Sequence, residues 1–193
     1  MAVTTPPAPV LTAAEQPVEL PVAPTEVRAL QAVQRGIGRP PVVATARGMS
    51  LFGEHAGGWL ALGVLGALAD RRRRREWLTA AAGVAAAHGA SVAVKRVVRR
   101  PRPADPRVRV LVGTPSRLSF PSAHATSTTA AAVLYGRLLG RRSRFLAAPL
   151  LVPPMALSRL VLGVHYPTDV AAGALLGAGV AAATRAISER SPR

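Results

Sequence analysis

The chain has no cysteine, 4% aromatic residues and nine acidic residues against 25 lysines and arginines. Without cysteine there is neither a disulfide framework nor a thiolate metal site, and the sequence carries no mark of a redox compartment. A formal charge of +16 invites a nucleic-acid reading. Such a protein would interleave its arginines with aromatic or polar residues on one exposed face, whereas here they punctuate apolar spans. Lysine is almost absent as well: Lys95 stands alone in a chain that otherwise uses arginine throughout, which marks it for attention.

What is present in quantity is apolar, with 49% hydrophobic residues and a mean hydropathy of +0.25. The basic residues crowd into Arg71 to Arg75, Lys95 to Arg102 and Arg141 to Arg144, and the stretches between are nearly free of charge. That distribution belongs to a membrane protein. Residues 1–26 are rich in Pro, Ala and Thr and lack the basic start and apolar core of a signal peptide, so they read as a disordered tail ahead of one domain over 27–193. Val27 to Gly36 and Val42 to Phe52 read as short helices too short to span, suited to packing at the interface. Five longer apolar spans follow, near 56–70, 77–95, 123–139, 145–162 and 168–187, against a need for about 20 residues per crossing. The first is short. The expected fold is all-α, a polytopic membrane bundle of about five transmembrane helices whose many Gly and Ala allow close helix packing.

In a five-span alternation, Arg71 to Arg75, Arg141 to Arg144 and the arginines after the last span share one side, and the positive-inside rule makes that side cytoplasmic. The other face collects Lys95-Arg-Val-Val-Arg-Arg-Pro-Arg102-Pro103, Pro121-Ser122-Ala123-His124 and Ser158-Arg159 through His165 to Asp169. Cations, two histidines and a carboxylate thus gather where unpaired charge is costly to hold.

That set suits phosphoryl transfer. Lys95, Arg102 and Arg159 offer donors to an anion with several oxygens. Ser122, as an N-cap, points its hydroxyl and the first free amides of its helix toward the same anion. His165 precedes Asp169 by four residues, so the carboxylate can accept the Nδ1 proton and leave Nε2 to attack phosphorus. His124 remains as general acid. Arg96, Arg99 and Arg100 read as snorkelling interface residues. His88, mid-span beside Gly89, reads as an interior hydrogen-bonding residue about half a membrane from the others, and Glu54 and His55 as candidates to line the site entrance.

The three segments, in the patterns KxxxxxxRP, PSxH and SRxxxxxHxxxD, resemble the type-2 phosphatidic acid phosphatase family of lipid phosphatases, polyprenyl diphosphate phosphatases and vanadate haloperoxidases. The resemblance runs from Lys95 to Asp169. It implies phosphate binding by Lys95, Arg102, Ser122 and Arg159, a phosphohistidine formed on His165, orientation by Asp169 and acid catalysis by His124. Many members carry glycine where this chain has Ala123, a change that bears on how a backbone amide meets the phosphate but leaves the amide itself in place. The resemblance implies no cofactor, no metal and no nucleic-acid partner. The implied partners are a lipid phosphate substrate and membrane lipids, with a homo-oligomer left open, and the implied setting is the plasma membrane with the site on its extracytoplasmic face. Size, arginine content and the run LSFPSAHATSTTAA look most like small actinobacterial members acting on decaprenyl-phosphoryl 5-phosphoribose in cell-wall synthesis. Undecaprenyl diphosphate, phosphatidylglycerol phosphate and phosphatidate stay open as substrates. So do two other classes: a metal hydrolase on His124, His165 and Asp169, disfavoured by the surrounding cations, and a non-enzymatic membrane protein.

Overall fold

A computed structural model describes residues 24–190, so the expected tail lies up to residue 23 outside the described residues. Among the described residues seven α-helices run in chain order: α1 (Thr25–Ile37), α2 (Pro40–Gly53), α3 (Gly57–Ala69), α4 (Arg74–Val98), α5 (Ala123–Leu138), α6 (Arg141–Val161) and α7 (Pro167–Arg190). Helix α1 begins two residues inside the stretch read as tail. It buries Val27, Leu30 and Gln34, a spacing of three and four that puts all three on one face. Gln34 clamps the site end of the bundle: its Nε2 donates to the carbonyls of Arg109 (2.7 Å) and Val161 (3.0 Å), and its Oε1 accepts from the Arg109 amide.

The expected short first span and the helix over Val42 to Phe52 prove to be parts of one element. Helix α2 starts on Pro40, whose missing N–H costs nothing at a helix start. A 3₁₀ turn over Glu54–Ala56 then joins α2 to α3, and Pro40–Ala69 makes a single broken segment of 30 residues, apolar enough to cross a membrane. Only α1 keeps the non-spanning role first given to both short helices. The break rests on His55 and Ala56, both at positive φ (51° and 59°) without being glycine, a conformation that costs about 1–3 kcal/mol per residue. Arg71–Val98, Arg141–Val161 and Pro167–Arg190 are the other three segments of spanning length and hydropathy.

Helix α5 is the hub. Its 16 residues pack against α4, α6 and α7, and the run AHATSTTAAA is short-chained enough to let neighbours close in. The approach of α7 is tightest: a methyl group at Gly173 would lie 2.5 Å from the Ser122 carbonyl oxygen, and one at Gly177 would lie 2.2 Å from that of Thr126. This contact seats the start of α7 against the start of α5, and the Ser122 amide donates to the Asp169 carbonyl across it (2.9 Å).

The bundle has two unlike ends. At one, Arg73 pairs with Asp70 and donates to the Leu138 carbonyl, and Arg137 pairs with Glu189. At the other lie α1, the connection over 99–122 and the turn over 162–166. That connection doubles back on itself, with Arg102 and Ser119 amides donating to the Arg117 and Arg100 carbonyls.

Candidate phosphate-binding active site

A cavity of about 550 Å³ opens at this second end, between α2, α4, α5 and the 99–122 connection. Lys95, Arg102, Ala123, His124, Arg159 and His165 all line it, so the structure brings together six of the eight site residues expected from sequence. Asp169 stands behind His165. Ser122 is fully buried at the N-cap of α5, where its Oγ accepts from the Ala125 amide, and it does not line the cavity.

Arg159 is the most telling residue of the set. It is 1% exposed, it lines the cavity, and its Nε and Nη1 have no hydrogen-bond partner among the described residues. A buried guanidinium with two unmet donors is expensive unless an anion completes it. Arg102 is better supplied. Its Nε donates to the Ser116 carbonyl (2.8 Å) and its Nη1 to the Val164 carbonyl (2.7 Å), while Nη1 also lies 3.1 Å from His165 Nε2. Lys95 turns its ammonium to the carbonyls of Pro121 (2.5 Å), Ser119 (3.0 Å) and Leu118 (3.4 Å). The lone lysine therefore shapes the loop that leads into α5 and delivers Ala123 to the cavity.

His165 sits in the turn between α6 and α7 and is 2% exposed. Burial, only partly offset by Asp169, pushes its imidazole down to about 3, so the ring is neutral in the resting site. Its Nδ1 lies 3.6 Å from Asp169 Oδ2, a step longer than a formed hydrogen bond, as is common before a substrate tightens a site. Asp169 is itself fully buried. Its Oδ2 accepts from the Tyr166 amide (2.8 Å) and its Oδ1 from Arg100 Nη1 (2.9 Å).

His124 is held from the broken first segment. Because the Glu54 amide donates to Leu51 instead of Ser50, the Ser50 carbonyl is released from the helix ladder, and His124 Nε2 lies 2.9 Å from it. A carbonyl only accepts, so Nε2 carries the hydrogen and Nδ1 is the bare nitrogen. Gly53 makes this approach possible: a methyl group there would stand 2.6 Å from His124 Cδ2.

Two residues depart from their sequence readings. His88 does not lie apart from the site; it lines the same cavity, two turns below Lys95 on α4, with its ring 6.2 Å from that of His55. Glu54 and His55 line the cavity too. Arg100, read as a snorkelling residue, is tied into the Asp169 environment. No sequence signal separates it from its neighbours in a run of arginines.

The PAP2 superfamily pattern matches residues 76–193. Decaprenylphosphoryl-5-phosphoribose phosphatase of Mycobacterium tuberculosis is 60% identical over 159 residues, covering 81% of this chain and 87% of the relative. The protein of the same name from Mycolicibacterium smegmatis is 62% identical over 146 residues, covering 75% and 78%. Among solved structures, a transmembrane PAP2-type phosphatidylglycerolphosphate phosphatase from Bacillus subtilis superposes with a TM-score of 0.69 at 20% identity, over 86% of this chain and 87% of the other. The likeness shows the fold, and the four segments of spanning length and hydropathy among the described residues make the chain an integral membrane protein. From the motif residues gathered at one cavity, the bundle that carries them and the extent of these matches, the chain belongs to the PAP2 superfamily.

Proposed function

We propose that this protein removes the terminal phosphate of a polyprenyl-linked lipid, decaprenyl-phosphoryl 5-phosphoribose, at the extracytoplasmic face of the plasma membrane. The observation that carries the reading is Arg159, buried with two unmet donors in the same cavity as a neutral histidine backed by a carboxylate. The relatives' names support the substrate. So does the cavity beyond the cations, where Glu54, His55 and His88 offer polar partners to a hydroxylated headgroup between phosphate and lipid chain.

The steps follow from the geometry. A phosphate entering the cavity completes Arg159 and draws Arg102 off His165 Nε2, uncovering the lone pair. Nε2 attacks phosphorus, the N–P bond forms as the P–O bond to the lipid breaks, and the Nδ1 hydrogen stays with the imidazole, which Asp169 stabilises as it gains positive charge. His124, with Nε2–H held by Ser50, exchanges protons through Nδ1: it takes the proton of a phosphate monoanion and delivers it to the leaving oxygen. Water then attacks the phosphohistidine with His124 accepting its proton, and inorganic phosphate leaves. The positive-inside rule assigns the arginine-rich end to the cytoplasm, which supports a site on the opposite side.

Phosphate release by the purified protein from a panel of lipids tests the reading. Decaprenyl-phosphoryl 5-phosphoribose should give a kcat/KM well above those for undecaprenyl diphosphate, phosphatidylglycerol phosphate and phosphatidate. Equal or better turnover of any of those would assign a different substrate.

A further inference from the structure

The Asp169 carboxylate has two oxygens with different tasks. Oδ2 faces His165 Nδ1, and Oδ1 is held by Arg100. Arg100 is held in turn on every side. Its Nη1 also donates to Thr168 Oγ1 (2.7 Å), its Nη2 donates to Glu26 Oε2, and its guanidinium lies over the Tyr166 ring, 4.1 Å from the centroid. Glu26 closes the loop by accepting from the Thr168 hydroxyl (2.6 Å) and amide (3.3 Å). Glu26 belongs to α1, which lies wholly outside the part of the chain matched to the family pattern.

From this network we infer that Arg100, clamped by Glu26 of α1, is a positioning residue that fixes the Asp169 carboxylate so that its other oxygen is presented to His165. The inference rests on the reading of His165 and Asp169 given above. Arg100 does not line the cavity, so it acts through Asp169 and not on the phosphate. A fully buried carboxylate that lost this donor would keep the Tyr166 amide on one oxygen and nothing on the other, and would turn to find a partner. The guanidinium fork suits the task because it reaches Glu26 and Asp169 at once, which an ammonium on a single point cannot do. Burial alone would raise the Glu26 carboxyl, but the hydrogen bonds from Thr168 and Arg100 outweigh it and hold the group below the usual carboxylate range, so the clamp is charged at neutral pH.

The main chain at position 100 is fixed independently of the side chain. The Arg100 carbonyl accepts from the Ser119 amide (2.8 Å) and hydroxyl (3.3 Å). Truncating the side chain therefore leaves the loop path intact and separates positioning from folding.

The test uses the full-length purified protein and lipid phosphate release. Groups that orient a catalytic or ligating residue without touching the substrate typically change activity by about 10–100-fold. Arg100→Ala should lower kcat by that order with KM unchanged, and the exposed neighbour Arg99→Ala should leave both unchanged. Arg100→Lys keeps the charge with one point of contact, so it should fall between wild type and Arg100→Ala, as should Glu26→Gln. Combined with Asp169→Asn, Arg100→Ala should cost almost nothing further, because both changes disable one unit. Added guanidinium ion should restore part of the kcat of Arg100→Ala. An unchanged kcat, a rise in KM alone, or a full additive loss on top of Asp169→Asn would overturn the inference. If Arg100→Ala does not fold, Arg100→Lys and Glu26→Gln carry the same test, and wild-type kcat in both would overturn it. Wild-type protein that releases no phosphate from any lipid would instead overturn the proposed function.

Discussion

Replacing Gly53 by alanine would strike the acid–base histidine without touching any charged group. Gly53 has φ −83° and ψ −5°, an ordinary conformation for any residue, so the cost is purely steric. The new methyl carbon would stand 2.6 Å from His124 Cδ2 and 3.3 Å from Nε2. Restoring an ordinary contact of 3.4 Å requires the ring to retreat by about 0.8 Å. That pulls Nε2 away from the Ser50 carbonyl and Nδ1 away from the leaving oxygen. A misplacement of about 1 Å can cost on the order of 100-fold in rate, so Gly53→Ala should lower kcat on the lipid by about that factor. The assay compares two leaving groups. A lipid or sugar alkoxide needs a proton as it departs, whereas 4-nitrophenolate does not, so the first-turnover burst of 4-nitrophenolate from 4-nitrophenyl phosphate should keep its rate, even though the later attack of water on the phosphohistidine, which also uses His124, slows for both substrates. His124→Ala should show the same selectivity, with a loss of about 10²–10⁴-fold on the lipid. If Gly53→Ala slows the first turnover of both substrates equally, or of neither, His124 is not the proton donor held by this approach.

Two more outcomes follow from the cavity and the two ends of the bundle. Glu54→Gln should lower kcat/KM for the phosphoribosyl lipid while sparing or improving undecaprenyl diphosphate, whose second phosphate would face the carboxylate; parallel losses on both would remove Glu54 from headgroup selection. Because the chain has no cysteine, single cysteines report on sidedness in intact cells: Arg73→Cys and Arg142→Cys should resist a membrane-impermeant thiol reagent, and Asp105→Cys and Gly113→Cys should react, whereas the opposite pattern would put the active site in the cytoplasm.

The parts of this protein written in local chemistry were legible from its sequence. Charge clusters between apolar spans gave the membrane bundle, and the four-residue step from His165 to Asp169 anticipated a pair now seen at 3.6 Å. What escaped depended on distant contacts. The link between α2 and α3 runs through His55 and Ala56 in left-handed conformations, which glycine or asparagine would have advertised and which these residues do not. The result is a first segment of 30 residues that looked like an interfacial helix and a short span. Ser122 caps its helix, as its place before α5 implied, but it is fully buried and does not line the cavity. Lys95 lines the cavity, but no local pattern announced that its ammonium would also hold three loop carbonyls. Arg99 and Arg100 are the same residue type side by side. Only the fold, by bringing Glu26 and Asp169 to one of them, tells them apart.

The proposed reaction passes through a phosphoryl group carried by His165. Rapid quenching of the enzyme in alkali after mixing with lipid labelled in its terminal phosphate, followed by proteolysis and mapping of the label, examines this directly. Acid-labile, base-stable phosphate should appear on the peptide containing His165, formed faster than inorganic phosphate is released and absent in His165→Ala. Label on a different residue, or normal turnover by His165→Ala, would contradict it.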